Sequence, residues 1–262
     1  MIPAMKLDAT AEAVPQKRNV VAVASGKGGV GKTWFSITLA HALARAGHRT
    51  LLFDGDLGLA NIDVQLGVAP HRDLGAVIAG KATMAQVVER YAEGGFDVIA
   101  GRSGSGNLAS LPMNRLITLR NEMHGVAQGY DHVVLDLGAG VERAVRILIG
   151  GARTCLVVAT DEPTSITDAY AFIKVTALDH LAEDIRIVVN MASGARDGER
   201  TYGTLRKACR EFLKLELPLA GIIRRDDHVK DSIRRQTSVL TRYPNTEAAQ
   251  DVETIATALA LP

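Results

Sequence analysis

Residues 26 to 33 read Gly-Lys-Gly-Gly-Val-Gly-Lys-Thr, a complete phosphate-binding loop with a second lysine, Lys27, at a position the common pattern leaves free. In the spacing Gly-x4-Gly-Lys-Thr, backbone N–H groups wrap a polyphosphate, Lys32 neutralises its β and γ oxygens, and the Thr33 hydroxyl ligates Mg2+. Gly28, Gly29, Val30 and Gly31 supply the wrapping amides. A glycine-rich surface turn is the alternative reading. The completeness of the motif weighs against it.

Two later segments carry carboxylates suited to the same chemistry. The first is Phe53-Asp54-Gly55-Asp56, followed by Leu57-Gly58-Leu59-Ala60-Asn61. Asp54 can reach the Mg2+ shell, and Asp56 can position the water that attacks the γ-phosphate. The second is His132 to Asp136, followed by Leu137-Gly138-Ala139-Gly140. Asp136 there orders the water shell of the metal, and the glycines let the next segment respond to the γ-phosphate. Taken singly, each is an ordinary aspartate at a strand end. In this order behind a phosphate loop they match a nucleotide switch that works with Mg2+.

The elements that must hold these residues are also legible. Val20 to Ala24 is a short apolar run of the kind a buried parallel strand needs. From Gly31 the chain turns helical, with Thr33, Ile37, Ala40 and Ala44 on one side, and stops at Gly47. The free amides and dipole at the start of that helix favour an anion. Further strand candidates are Thr50 to Asp54, Phe96 to Ala100, His132 to Asp136, Thr154 to Thr160, Ile185 to Asn190 and Leu217 to Ile223. Alternating with helical stretches, they predict an α/β fold with a mainly parallel central sheet and helices on both faces. Ligands of such sheets collect at the carboxyl ends of the strands.

With 262 residues, 47% hydrophobic and 23% charged, the chain can bury one large core. The expected organisation is a mobile tail over residues 1 to 17 and a single ATPase domain over 18 to 262. A net charge of +1 leaves any nucleic-acid contact to a local patch. Cys155 and Cys209 form neither a disulfide framework nor a C-x-x-C pair and read as reduced thiols. No secretory leader and no apolar run near ~20 residues is found, so a cytoplasmic protein is expected.

Lys27 to Thr33, Asp54-Gly55-Asp56, Asp136 to Gly140 and Asn190 together resemble the MinD/ParA class of deviant phosphate-loop ATPases. The resemblance implies a homodimer with ATP between two copies, Lys27 reaching the partner's phosphates, and Asn190 contacting adenine. Asp161 to Tyr170, Asp56 to Asp63, and Asp231 to Gln236 with Tyr243-Pro244 further resemble the FlhG/FleN flagellar-number regulators. That implies an ATP-dependent dimerisation switch with slow hydrolysis, which regulates the number or placement of a polar machine, flagella first. It also implies a flagellar assembly or regulatory protein as partner and recruitment to a cell pole. Two alternatives stay open: a positioning ATPase working on the nucleoid, and a nucleotide-binding module without significant turnover.

Several residues depart from that family pattern. Trp34 follows Thr33 where the family usually has a small polar residue for the α-phosphate, so one hydrogen bond fewer and a more crowded pocket are expected. Residues 1 to 17 lack the Asp-Gln-Ala-x-x-Leu-Arg motif that flagellar regulators present to the GTPase FlhF. Pro244 to Pro262 contains Glu247, Asp251 and Glu253 but no lysine or arginine. Anionic lipid gains nothing from such a helix, so Val252, Ile255, Ala256 and Leu259 are expected to pack on the domain.

Asn190 is followed by Met191-Ala192-Ser193, without the carboxylate that guanine readers carry, which favours adenine. Asp226 either approaches the base or ribose or caps the helix that follows. Arg224, Arg225, Lys230, Arg234, Arg235 and Arg242 gather against Asp226, Asp227 and Asp231. They form either a DNA-binding patch or a solvated face with internal ion pairs. Redox and metal-carrier relatives are disfavoured, because no cysteine stands near Asp136 or in a C-x-x-C pair.

Overall fold

Strand order, more than strand number, decides where the site forms. The computed structural model describes residues 19–101 and 111–260, so the expected tail over 1 to 17 and the last two residues lie outside it. The strands are β1 (Val20–Ser25), β2 (Thr50–Gly55), β3 (Glu89–Tyr91), β4 (Phe96–Ile99), β5 (His132–Ala139), β6 (Ala152–Ala159), β7 (Ala182–Ala192) and β8 (Leu219–Arg224). They join one sheet in the order β3-β4-β2-β5-β1-β6-β7-β8, parallel throughout except for the β3/β4 pair. The helices of the first half are α1 (Lys32–Arg45), α2 (Ile62–Leu66), α3 (Leu74–Ile78), α4 (Met113–Ala127) and α5 (Arg143–Ile149). Those of the second half are α6 (Pro163–Leu178), α7 (Ala195–Ala208), α8 (Asp227–Arg234), α9 (Val239–Arg242) and α10 (Glu247–Ala260).

The central strands are buried on both faces, which is why they read as unbroken apolar runs. Val20, Ala22 and Ala24 point to a core shared with α4 to α7, while Val21 and Val23 point to one shared with α1, α9 and α10. Helix α1 lies almost wholly inside, with Phe35, Leu39 and Leu43 at 0% exposure. Packing from the sheet, α9 and α10 encloses it on nearly every side.

Other boundaries shift as well. β3 was not among the expected strands; it is a three-residue antiparallel edge whose Glu89 and Arg90 give no apolar run, and Arg90 pairs with Asp97 of β4 at 3.0 Å. β5 continues past Asp136, because Leu137 stays in register with Gly55 and Ala139 with Ser25. Leu137, Gly138 and Ala139 are thus strand residues. The acidic C-terminal segment packs as expected, with Val252, Ile255 and Ala256 buried and Leu259 partly so. Gly221 allows the approach, since a Cβ there would sit 2.5 Å from Ile255.

Candidate functional site

β1, β2 and β5 are neighbours, so their carboxyl ends bring the phosphate loop and both aspartate segments together. Asp54 and Asp136 are directly opposite in the β2/β5 register, and Val23 pairs with Asp136 on the other side. A cavity of about 650 Å³ opens there, lined by the loop at Gly28, Gly29, Lys32 and Thr33, with Asp56 and Gly138 facing it.

The loop's glycines have distinct reasons. Gly31 caps α1 with φ 86°, and a Cβ on it would lie 2.4 Å from Asn190 Nδ2. Gly28 and Gly29 have no atom within 4 Å of a Cβ position, which leaves their amides an open cradle. A Cβ on Gly26 would strike the Asp168 carbonyl at 2.0 Å, so only glycine lets α6 approach the loop.

Lys32 and the two aspartates form the buried floor. Lys32 is 8% exposed, and Asp54 and Asp136 are each 1% exposed. Asp136 accepts a hydrogen bond from Ser36 Oγ at 2.8 Å, and Thr33 donates to it as well. Burial pushes the Asp136 carboxyl above its usual range, against the pull of Lys32, Thr33 and Ser36. Burial and the facing Asp136 push Asp54 up to about 8, although the Ile62 and Asp56 amides donate to it. Two carboxylates confined this way are poised for a cation.

Asp56 differs from Asp54 although only one residue separates them. It is half-buried at the cavity, and its Oδ1 accepts from the amides of Leu59 at 2.9 Å and Gly58 at 3.3 Å. A Cβ on Gly138 would come 3.4 Å from Asp56 Oδ1, and both residues line the cavity, so the two switch segments face the same space. Leu59 and Val141 beside them are 72% and 41% exposed.

Lys27 turns away from its own cavity. Its Nζ donates to Glu162 Oε2 at 2.5 Å and to Thr164 Oγ1 at 2.9 Å, at the start of α6. Lys27 in turn holds the exposed Glu162 carboxyl below its usual range. Motif reading left Glu162, Thr164 and Ser36 without roles, because their partners are distant in sequence.

Asn190 and Asp226 lie outside the cavity lining. Asn190 is 3% exposed; its Nδ2 donates to the Val30 carbonyl at 2.8 Å and its Oδ1 accepts from the Met191 amide, so it braces the loop from behind. Asp226 caps α8 by accepting from the His228 amide and also meets His228 Nδ1 at 2.8 Å. Of the two readings open for Asp226, the structure places the helix cap.

The basic cluster is largely paired within the chain. Arg224 grips Asp251 with Nε and Nη2 and Glu247 with Nη1, Arg235 and Arg242 meet Asp231, and Lys230 approaches Asp227. Arg225 and Arg234 have no carboxylate partner among the described residues. Among those residues no helix is long and apolar enough to cross a membrane.

This loop, its buried carboxylates and a parallel sheet of this order define a phosphate-loop ATPase. The chain belongs to the CobQ/CobB/MinD/ParA nucleotide-binding domain family, whose model matches residues 21–239. It is 37% identical to the antiactivator FleN of Pseudomonas aeruginosa over 90% of this chain and 84% of that protein. Similarity to the flagellum site-determining protein YlxH of Helicobacter pylori is 31% over 90% of this chain and 80% of the other. Among solved structures, the septum site-determining protein MinD of Pyrococcus horikoshii, complexed with Mg-ADP, superposes with a TM-score of 0.77 at 20% identity, covering 92% and 95% of the two chains. The residues here fit ATP with Mg2+, the cofactors of that family: glycines with open space at the cavity, a buried lysine, and two facing buried carboxyls that could order the ion's water shell.

Proposed function

We propose that this protein is an ATP-dependent dimerisation switch with slow hydrolysis that regulates flagellar number or placement. The observation carrying the switch is Lys27, a phosphate-loop lysine turned out of its own cavity and parked on Glu162 and Thr164. A phosphate-loop lysine whose ammonium lies at the rim rather than in its own cavity is available to the γ-phosphate held by another copy. The exposed Leu59 and Val141 at the cavity mouth supply apolar surface for that copy to cover. FleN and YlxH support the flagellar part of the reading.

In this mechanism Gly28 to Thr33 bind the triphosphate, and Lys32 neutralises its β and γ oxygens. Thr33 would ligate Mg2+, with Asp54 and Asp136 ordering its waters, and the ion would supply positive charge that offsets the negative charge of the phosphates. Asp56 orients the attacking water, and Gly138 lines the same cavity, so both switch segments stand where loss of the γ-phosphate is felt. Asn190 keeps the loop closed, which leaves its reach to adenine to the remaining Nδ2 hydrogen.

Sizing by light scattering tests the switch. Asp56→Ala should be dimeric with ATP and monomeric with ADP, and adding Lys27→Ala should leave it monomeric with both. A dimer persisting in the double variant would refute the trans-lysine role. Arg225 and Arg234 favour a second reading, nucleoid binding. Retention of the ATP dimer on DNA that weakens steeply with salt, and is lost in Arg225→Ala/Arg234→Ala, would favour it.

A further inference from the structure

The floor of the site contains one hydrogen bond that the phosphate-loop motif does not account for. Ser36 lies on α1, three residues beyond Thr33, at 0% exposure, and its Oγ donates to Asp136 Oδ1 at 2.8 Å. The two residues stand 100 positions apart, one on the helix that follows the loop and the other in β5. Thr38, also fully buried in α1, shows what a hydroxyl in this helix otherwise does: its Oγ1 donates back at 2.8 Å to the carbonyl of Trp34, one turn earlier. Ser36 forgoes that local bond and gives its single donor to the carboxyl.

A carboxylate has about four lone-pair sites and turns easily about its Cβ–Cγ bond. Asp136 is 1% exposed, so bulk water does not fix that turn and the protein donors around it must. Thr33 and Ser36 both donate to it, and Lys32 attracts it. Thr33 and Lys32, however, line the cavity and are the two loop side chains that a metal ion and a triphosphate engage. Ser36 does not line the cavity, and its hydroxyl is committed to Asp136. Once Thr33 and Lys32 turn to the ligand, the Ser36 bond is the one left to hold the carboxylate.

We infer that Ser36 is a positioning residue for the metal-dependent reaction, its hydroxyl holding one oxygen of Asp136 so that the carboxylate keeps a single orientation toward the water shell of Mg2+. The inference rests on the reading of Asp136 as a residue that orders that shell. Ser36 touches neither nucleotide nor ion and acts only through Asp136. Groups that orient the residues around a metal in this way carry a large share of its affinity.

Calorimetric titration of Mg2+ into the full chain saturated with ADP reads the ion's affinity apart from turnover. Ser36→Ala should raise the half-saturating Mg2+ concentration about tenfold while leaving ADP affinity in EDTA unchanged. Ser36→Thr, which keeps the hydroxyl, should recover most of that loss. Thermal melts accompany each variant, and if Ser36→Ala does not fold, Ser36→Cys, close in size but a weak donor, makes the same comparison. Unchanged Mg2+ affinity, or ADP binding weakened equally with Mg2+ and with EDTA, would overturn the positioning role and leave Ser36 as helix packing. A folded Ser36→Thr that recovers nothing would overturn it too. Asp136→Asn separates the two ways of failing. If it binds Mg2+ as tightly as the unaltered chain, the role of Asp136 falls and that of Ser36 with it; if it binds Mg2+ weakly while Ser36→Ala does not, only the role of Ser36 falls.

Discussion

The carboxyl ends of β1, β2 and β5 and the segment from β8 to α10 are both dense in charge, yet they use it in opposite ways. Around the phosphate loop, Lys32 is buried beside two carboxyls that burial drives toward neutrality, and Lys27 is held only by exposed groups at the rim. In the C-terminal segment, Arg224 is saturated by Asp251 and Glu247, and Asp231 collects Arg235, Arg242 and Tyr243. The first region keeps charge unbalanced for a ligand to complete. The second pairs most of its charge internally, and through Arg224 fastens α10 to the sheet. A cluster of basic residues in sequence is therefore a weaker sign of function than a buried charge left incomplete.

The sharpest way to break this contrast is to remove the incomplete charge at its centre. Lys32→Ala should lower ATP affinity about 100-fold, read by titration calorimetry, without lowering the melting temperature of the nucleotide-free chain. Unchanged affinity would mean that the cradle works by backbone alone.

Asp54→Asn probes the same imbalance through pH. Burial and the facing Asp136 raise the folded Asp54 carboxyl to about 8, against 3.8 for a free aspartate. Between those values the folded chain binds more protons than the unfolded chain, so this group's contribution to stability falls as pH rises. Asparagine imitates the protonated form. The variant should thus be more stable than the unaltered chain by roughly 2–4 kcal/mol near pH 8 in Mg2+-free buffer, with the gap closing toward pH 4. It should also bind ATP more weakly with Mg2+. A gap independent of pH would remove the raised carboxyl from the account.

Arg224→Ala tests the opposite region. Leaving Asp251 partly buried and unpaired should destabilise the chain by about 2 kcal/mol in urea unfolding, with ATP affinity unchanged. Loss of ATP affinity would couple α10 to the site and blur the contrast.

The smallest effect belongs to the rim. Glu162→Gln weakens a solvent-exposed hold on Lys27, so the ATP dimer of the Asp56→Ala protein should form a few-fold more tightly in sedimentation equilibrium. Weaker dimerisation would instead make Glu162 part of the interface.

Much of the fold was legible because its periodicity is local. Val20 to Ala24, Thr50 to Asp54 and His132 to Asp136 read as buried strands, since parallel strands covered on both faces must be apolar without interruption. β3 was not legible, because Glu89, Arg90 and Tyr91 pair only through their position beside β4. The extension of β5 through Leu137-Gly138-Ala139 was hidden for a related reason. Glycines read as flexible until the ladder to Gly55 and Ser25 is seen.

The sequence by itself determined the phosphate loop, the order of the three aspartates and the helix that begins at the loop, because amide spacing and hydrophobic period are properties of neighbouring residues. It also determined that the acidic tail would pack on the domain. Only the tertiary structure decided which polar groups are satisfied. It set Asn190 behind the loop, consumed Arg224 in α10, parked Lys27 on Glu162 and left Trp34 and Gln65 without partners. Hydrogen bonds and ion pairs depend on distances between residues as much as 197 positions apart, and no local pattern encodes those distances.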